Sequence, residues 1–195
     1  KRQIEKLGIE VHLNTEVTDI SKLNADEIVI ATGSTARKLN FKGSEKIIDA
    51  IDYLNKKEVG ENVVIIGGGL TGCEIAYELS LQGKKPVIVE AKNDLMAVSG
   101  LCLANSSYLR DYFKHNNTPV YLESFVQEVD DGKVIIVSKD GGTREVKADS
   151  VISAIGYNPA PLVKAGKHVH IVGDALKVGN LRTVVWRAWE VAEKI

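Results

Sequence analysis

Three glycines, Gly67, Gly69 and Gly72, stand at G-x-G-x-x-G spacing, and a carboxylate, Glu90, closes the apolar run Val87-Ile88-Val89 that follows. Between a strand and a helix, that set binds a dinucleotide. Gly67 lets the chain turn sharply out of a strand. Gly69 has no Cβ to hold a pyrophosphate away, and Gly72 permits close packing of helix on strand. A helix starting near Leu70, with Thr71 in its first turn, points unpaired N–H groups and the positive end of its dipole at the phosphates. Glu90 is placed to accept hydrogen bonds from the adenosine ribose, which favours NAD(H) over NADP(H). A 2′-phosphate beside it meets like-charge repulsion unless a cation intervenes. Lys92 is the nearby cation. A bare glycine motif reads equally well as a helix-packing loop, and only its context separates the two.

That context is an α/β pattern. Asn62 to Ile66 is a buried-strand run, the segment after Leu70 has helical character, and Val87 to Val89 is a second strand ending in the carboxylate. A longer pattern occurs twice. Gly8 to Val17 aligns with Asn117 to Val126, each reading as a strand leading into a turn, and Ala25 to Gly33 aligns with Ala148 to Gly156. The second copy carries an extra strand-turn-strand, Val134 to Ser138, Asp140-Gly141-Gly142 and Glu145 to Lys147. It is also preceded by glycine loop, helix and acidic strand end, whereas only Lys1 to Leu7 precede the first copy. Two nucleotide-binding units are implied, the first without its βαβ front. The sequence does not begin with methionine, Met96 being the one Met, so a piece of a longer protein is expected. The predicted fold is Rossmann-like: a parallel sheet with helices on one face and a β-meander on the other, plus a truncated second copy.

The 195 residues are 44% hydrophobic and 26% charged, enough for a buried core in one or two small domains. A net charge of −1 gives no electrostatic reason to expect nucleic acid or an anionic membrane as partner. No apolar run has transmembrane length and no signal peptide is visible, so the expected location is the cytoplasm. Cys73 and Cys102 form no C-x-x-C, which argues against a redox-active dithiol, and Cys73 reads as a packed thiol. His168 and His170 share a strand face, but two ligands make a poor zinc site and surface histidines are the better reading. No metal site is expected. Glu74 and Glu78 share a helix face, as solvated carboxylates do. Trp186 and Trp189 share one too, and packing against the sheet or a further domain is expected of them.

The glycine-loop unit nested between Ala31-Thr32-Gly33 and Val172-Gly173-Asp174-Ala175 resembles the two-dinucleotide-binding-domain flavoproteins. The stretch Val172 to Leu181 with Trp186 and Trp189 narrows the resemblance. It is similar to the C-terminal region of Old-Yellow-Enzyme-like NADH:flavin oxidoreductases, the 2-enoate reductase, 2,4-dienoyl-CoA reductase and trimethylamine dehydrogenase group. The resemblance implies an NAD(H) domain, residues 60–155, inserted into an FAD domain of which residues 1–42 and 156–195 are present. It implies that Asp174 contacts the FAD ribityl chain, that Gly33 lies against that dinucleotide, and that Gly156 plays the matching part on the NAD(H) side. Glu74 would lie toward the nicotinamide. The helix from about Leu181 would aim its N-terminus at the flavin ring. A barrel domain with FMN and an iron–sulfur cluster, outside this sequence, would be the N-terminal catalytic partner.

The expected function is therefore to hold NADH while hydride passes to flavin, for reduction of an enoate-type C=C bond in the intact enzyme. The cofactors carry that chemistry, so no side chain here is expected to be catalytic. The alternative is an ADP- or AMP-binding structural module without hydride transfer. A disulfide-reductase or peroxidase type would need a reactive cysteine in the FAD half.

Overall fold

The computed structural model describes residues 1–98 and 100–195. The strands are β1 (Ile28–Ile30), β2 (Ser34–Ala36), β3 (Ile48–Asp49), β4 (Asn62–Ile66), β5 (Lys85–Val89), β6 (Val120–Tyr121), β7 (Ser124–Asp130), β8 (Lys133–Ser138), β9 (Thr143–Lys147), β10 (Ser150–Ser153), β11 (Tyr157–Pro159) and β12 (Val169–Ile171). The helices are α1 (Arg2–Lys6), α2 (Ala50–Leu54), α3 (Leu70–Leu81), α4 (Leu103–His115) and α5 (Leu181–Ala192). By packing, the chain divides into two units, Lys1–Ser34 with Pro159–Ile195, and Thr35–Asn158.

The unit Thr35–Asn158 is built on a five-stranded parallel sheet in the order β3-β10-β4-β5-β6. Strand β4 is central and apolar on both faces because both faces are covered. On one side Val63, Ile65, Ile88 and Ile152 pack against Ile75 and Leu79 of α3 and Leu109 and Phe113 of α4. Tyr77 of α3 meets Tyr112 of α4 edge-on, with ring centroids 4.6 Å apart. On the other side Val64, Ile66, Val89 and Val151 pack against Val126, Val129, Val134, Ile136 and Val146 of the antiparallel meander β7-β8-β9. Helices on one face and a meander on the other is the predicted arrangement. Residues 35–59 belong to this unit too. Strand β3 pairs with β10, Lys42 reaches Glu128 at 2.5 Å and Lys46 reaches Asp131 at 2.6 Å.

The other unit holds one parallel pair, Ile28 to Ile30 of β1 against Val169 to Ile171 of β12, with α5 started by a capping box between Asn180 and Thr183. Among its described residues only Ile30, Val172 and Ala175 are buried apolar side chains. The strand expected over Gly8 to Val17 does not form, and Ile9, Val11, Leu13 and Val17 stand exposed. The reason is a missing neighbour. In the second copy β6 pairs with β5, and among the described residues the first copy has no counterpart of β5 to pair with. Of the two packing partners expected for the tryptophans, the sheet is not the one used, since Trp186 and Trp189 are 61% and 60% exposed. Helix α5 turns Thr183, Val184, Arg187 and Val191 inward instead, and Arg187 donates to the Gly173 and Lys177 carbonyls. His168 Nδ1 and His170 Nε2 each lie 2.8 Å from a different oxygen of Glu27, so the shared face serves an acid–histidine cluster that holds the Glu27 carboxyl below its usual range. Among the described residues no helix is long and apolar enough to cross a membrane.

Candidate functional site: the glycine loop and its acidic neighbour

Strand β4 ends at Ile66 and α3 begins at Leu70, so the glycine motif occupies the strand-to-helix turn that gives it meaning. Gly67 has φ +107°, and a Cβ there would fall 2.6 Å from the Ala154 carbonyl oxygen. A Cβ on Gly72 would fall 1.9 Å from the Gly67 carbonyl oxygen and 3.3 Å from Ala154 Cβ. Gly72 therefore lets the loop fold back on itself and against the chain leaving β10. At Gly69 the geometry is the reverse: a Cβ would meet nothing within 4 Å. No side chain caps the helix at Gly69, which leaves the first N–H groups, those of Leu70 and Thr71 among them, facing that open space. Open space, free donors and a dipole's positive end suit an anionic group such as a pyrophosphate.

Glu90 is 9% exposed, yet no lysine or arginine pairs with it among the described residues. Backbone N–H groups hold it instead. Oε2 accepts from Gly68 N–H at 2.5 Å and Oε1 from Lys92 N–H at 2.8 Å. Each carboxylate oxygen accepts two hydrogen bonds, so one site per oxygen remains for ribose hydroxyls, and the carboxylate is already oriented. Lys92 Nζ donates to the Ala97 carbonyl at 3.1 Å, which engages the one cation that sequence reasoning offered for a 2′-phosphate.

Gly68, between the motif glycines, was not legible from the spacing. Its N–H bonds Glu90, its carbonyl accepts from Met96 N–H at 2.7 Å and from the Cys73 thiol at 3.4 Å, and a Cβ would fall 2.5 Å from Leu95 Cδ2. Burial pushes the Cys73 thiol up to about 12, so it is a packed donor and no nucleophile at neutral pH.

The same end of the sheet carries the chain leaving β10. Gly156 has φ +94°, is exposed, and has nothing within 4 Å of a Cβ position. Its carbonyl accepts from Arg37 N–H at 3.0 Å. Beside it Ala50, Thr71, Ser153 and Tyr157 line a recess of about 30 Å³, room for a water-sized group and not for an aromatic ring. The buried Ser153 hydroxyl borders this recess and has no partner among the described residues. Thus Gly67, Gly69, Leu70, Thr71, Gly72, Glu90, Lys92 and Gly156 are all in one unit, at the carboxyl ends of β4, β5 and β10. Gly33 and Asp174 belong to the other unit. Gly33 has φ +77° in open space, and Asp174 Oδ1 accepts from Gly179 N–H at 3.0 Å. Glu74 and Glu78 are exposed, the latter bonded to Gln82 at 3.2 Å. Among the described residues no group of three or more His, Cys, Asp or Glu could hold a metal ion.

Comparison with known proteins agrees with this geometry. The family model for pyridine nucleotide-disulphide oxidoreductases matches residues 10–178. A cinnamate reductase of Clostridium sporogenes is 39% identical over 98% of this chain, and an NADH oxidase of Thermoanaerobacter brockii is 30% identical over 99% of it. A solved 2-naphthoyl-CoA reductase superposes on 100% of the chain with a TM-score of 0.85 at 26% identity. The chain spans only 30%, 32% and 31% of these three proteins, respectively. By name they are two reductases and one oxidase. With most of its length matched by the family model, the chain belongs to the pyridine nucleotide-disulphide oxidoreductase family.

Proposed function

We propose that this chain is the NAD(H)-binding part of a flavin-dependent oxidoreductase. The observation that carries the reading is the open space over Gly69, bounded by free helix N–H groups on one side and the pre-oriented Glu90 carboxylate on the other. Residues present fit the group: Leu70 and Thr71 N–H for the pyrophosphate, Glu90 for the adenosine ribose, and the exposed Gly156 edge for the second nucleoside. When bound, NADH supplies a hydride for which a flavin is the acceptor; the chain's own work is to bind and orient. Glu90 discriminates against a 2′-phosphate, Lys92 two residues further on being engaged with Ala97.

The unit Lys1–Ser34 with Pro159–Ile195 does not fit FAD in the same way. It has Gly33 and Asp174 but no glycine loop between a strand and a helix among its described residues. The similarity to a cinnamate reductase over nearly the full chain supports reduction of a C=C bond conjugated to a carboxylate as the whole protein's reaction, with an additional N-terminal catalytic domain as partner. FMN and an iron–sulfur cluster would belong to that domain.

Gly69→Val tests the reading. The backbone there is extended, with φ −69° and ψ −179°, which valine adopts freely, and the side chain projects into the space a pyrophosphate needs. NADH fluorescence titration should show binding by the parent chain and none by the variant, with unchanged circular dichroism. Equal binding by both would contradict the assignment.

A further inference from the structure

The loop that follows Glu90 is fastened to α4 by one side chain. Arg110 donates Nε to Asp94 Oδ1 at 3.2 Å and Nη2 to Asp94 Oδ2 at 2.9 Å, a two-point fork, and Nη2 also reaches the Leu95 carbonyl. The fork fixes Asp94 and Leu95, and the next contacts lead directly to the glycine loop. The buried Leu95 side chain lies over Gly68, and Met96 N–H donates to the Gly68 carbonyl at 2.7 Å. Gly68 N–H in turn orients Glu90. Met96 holds φ +51°, a left-handed conformation unfavourable for a non-glycine residue, which surrounding contacts have to maintain.

We propose that Arg110 is a positioning residue for the adenosine half of the dinucleotide, acting through Leu95, Met96 and Gly68 on Glu90. The inference rests on the dinucleotide reading of the glycine loop. With the ribose on Glu90, the base has to lie beyond the end of β5, beside the residues that follow the carboxylate, Ala91 to Met96. That segment is the one Arg110 fastens. Loss of the fork frees Leu95 from above Gly68 and releases the Gly68 peptide, so its N–H no longer holds Glu90 in one orientation. The side chain touches no nucleotide itself.

The test uses the full chain with Arg110→Ala and Arg110→Lys, ADP calorimetry, and amide hydrogen exchange at Gly68, Met96 and Ile65. Arg110→Ala should weaken ADP about tenfold, the loss of one charge-assisted contact's worth of orientation. Arg110→Lys should recover only part of this, because a point charge cannot form the fork. Exchange at Gly68 and Met96 should accelerate while that of Ile65, in the core of β4, stays as in the parent. Unchanged ADP affinity overturns the proposal even if Met96 exchange accelerates, and so does equal acceleration at Ile65, which marks a general loss of stability. If Arg110→Ala does not fold, Asp94→Asn weakens the same fork from its exposed side and is read in the same way. A parent chain that binds neither ADP nor NADH would overturn the nucleotide reading and the positioning role with it, whereas parent binding with unresponsive variants overturns the positioning role alone.

Discussion

In the unit Thr35–Asn158 the central strand buries Val63, Val64 and Ile65 completely, whereas the unit Lys1–Ser34 with Pro159–Ile195 leaves Leu7, Ile9, Leu13, Trp186 and Trp189 more than half exposed. Both contain parallel strands, and the sequence pattern repeats between them. The difference is what flanks each strand. A parallel strand needs hydrogen-bonding neighbours and a cover on both faces, and β4 has β5, β10, two helices and a meander. Strand β1 has β12. The same contrast bears on the proposed dinucleotide site: the glycine loop between a strand and a helix is complete in one unit, and none is present among the described residues of the other.

Truncating cores should expose the contrast most strongly. Ile65→Ala removes a wholly buried side chain from between β4 and α3 and should cost about 2–5 kcal/mol in urea unfolding. Leu13→Ala, at 78% exposure, should stay within about 0.5 kcal/mol. Similar costs at both sites would mean that the first unit has a core comparable to the second, and the comparison would fail.

Acid should separate the units more gently. Hydrogen bonds from His168 and His170 lower the Glu27 pKa, so the stabilisation is fully present above the unfolded glutamate value of about 4.3 and is lost as pH falls through the lower folded value. Between pH 5 and about 3, amide exchange at Ile28 in β1, whose N–H donates to the His168 carbonyl at 3.0 Å, should accelerate before that at Ile65. Simultaneous change would show that Glu27 contributes nothing local. The effect is small because the cluster is exposed to solvent.

The strand-loop-helix around Gly67, Gly69 and Gly72, the carboxylate Glu90 and the meander from Val134 to Lys147 were all legible in the sequence. Each is a local pattern with a fixed period or spacing. What was not legible depends on partners remote in the chain. Gly68 sits between two motif positions, and its role comes from Leu95 and Met96, which in turn depend on Arg110; no spacing announces such a chain of contacts. Gly8 to Val17 has the alternation of a strand but no neighbour to pair with, and alternation alone does not supply one. Trp186 and Trp189 share a helix face as expected, but the side of α5 that packs is chosen by Val184, Arg187 and Val191.

Calorimetric titration of the chain with NADH, NADPH and ADP, with Glu90→Ala alongside, addresses the dinucleotide assignment most directly. NADH is predicted to bind more tightly than ADP and NADPH, and to lose about 1–3 kcal/mol in the variant, where Gly68 N–H and the ribose both lose their acceptor. Equal affinity for NADH and ADP would favour an adenine-nucleotide module without hydride transfer, and no binding by any of the three would contradict the account.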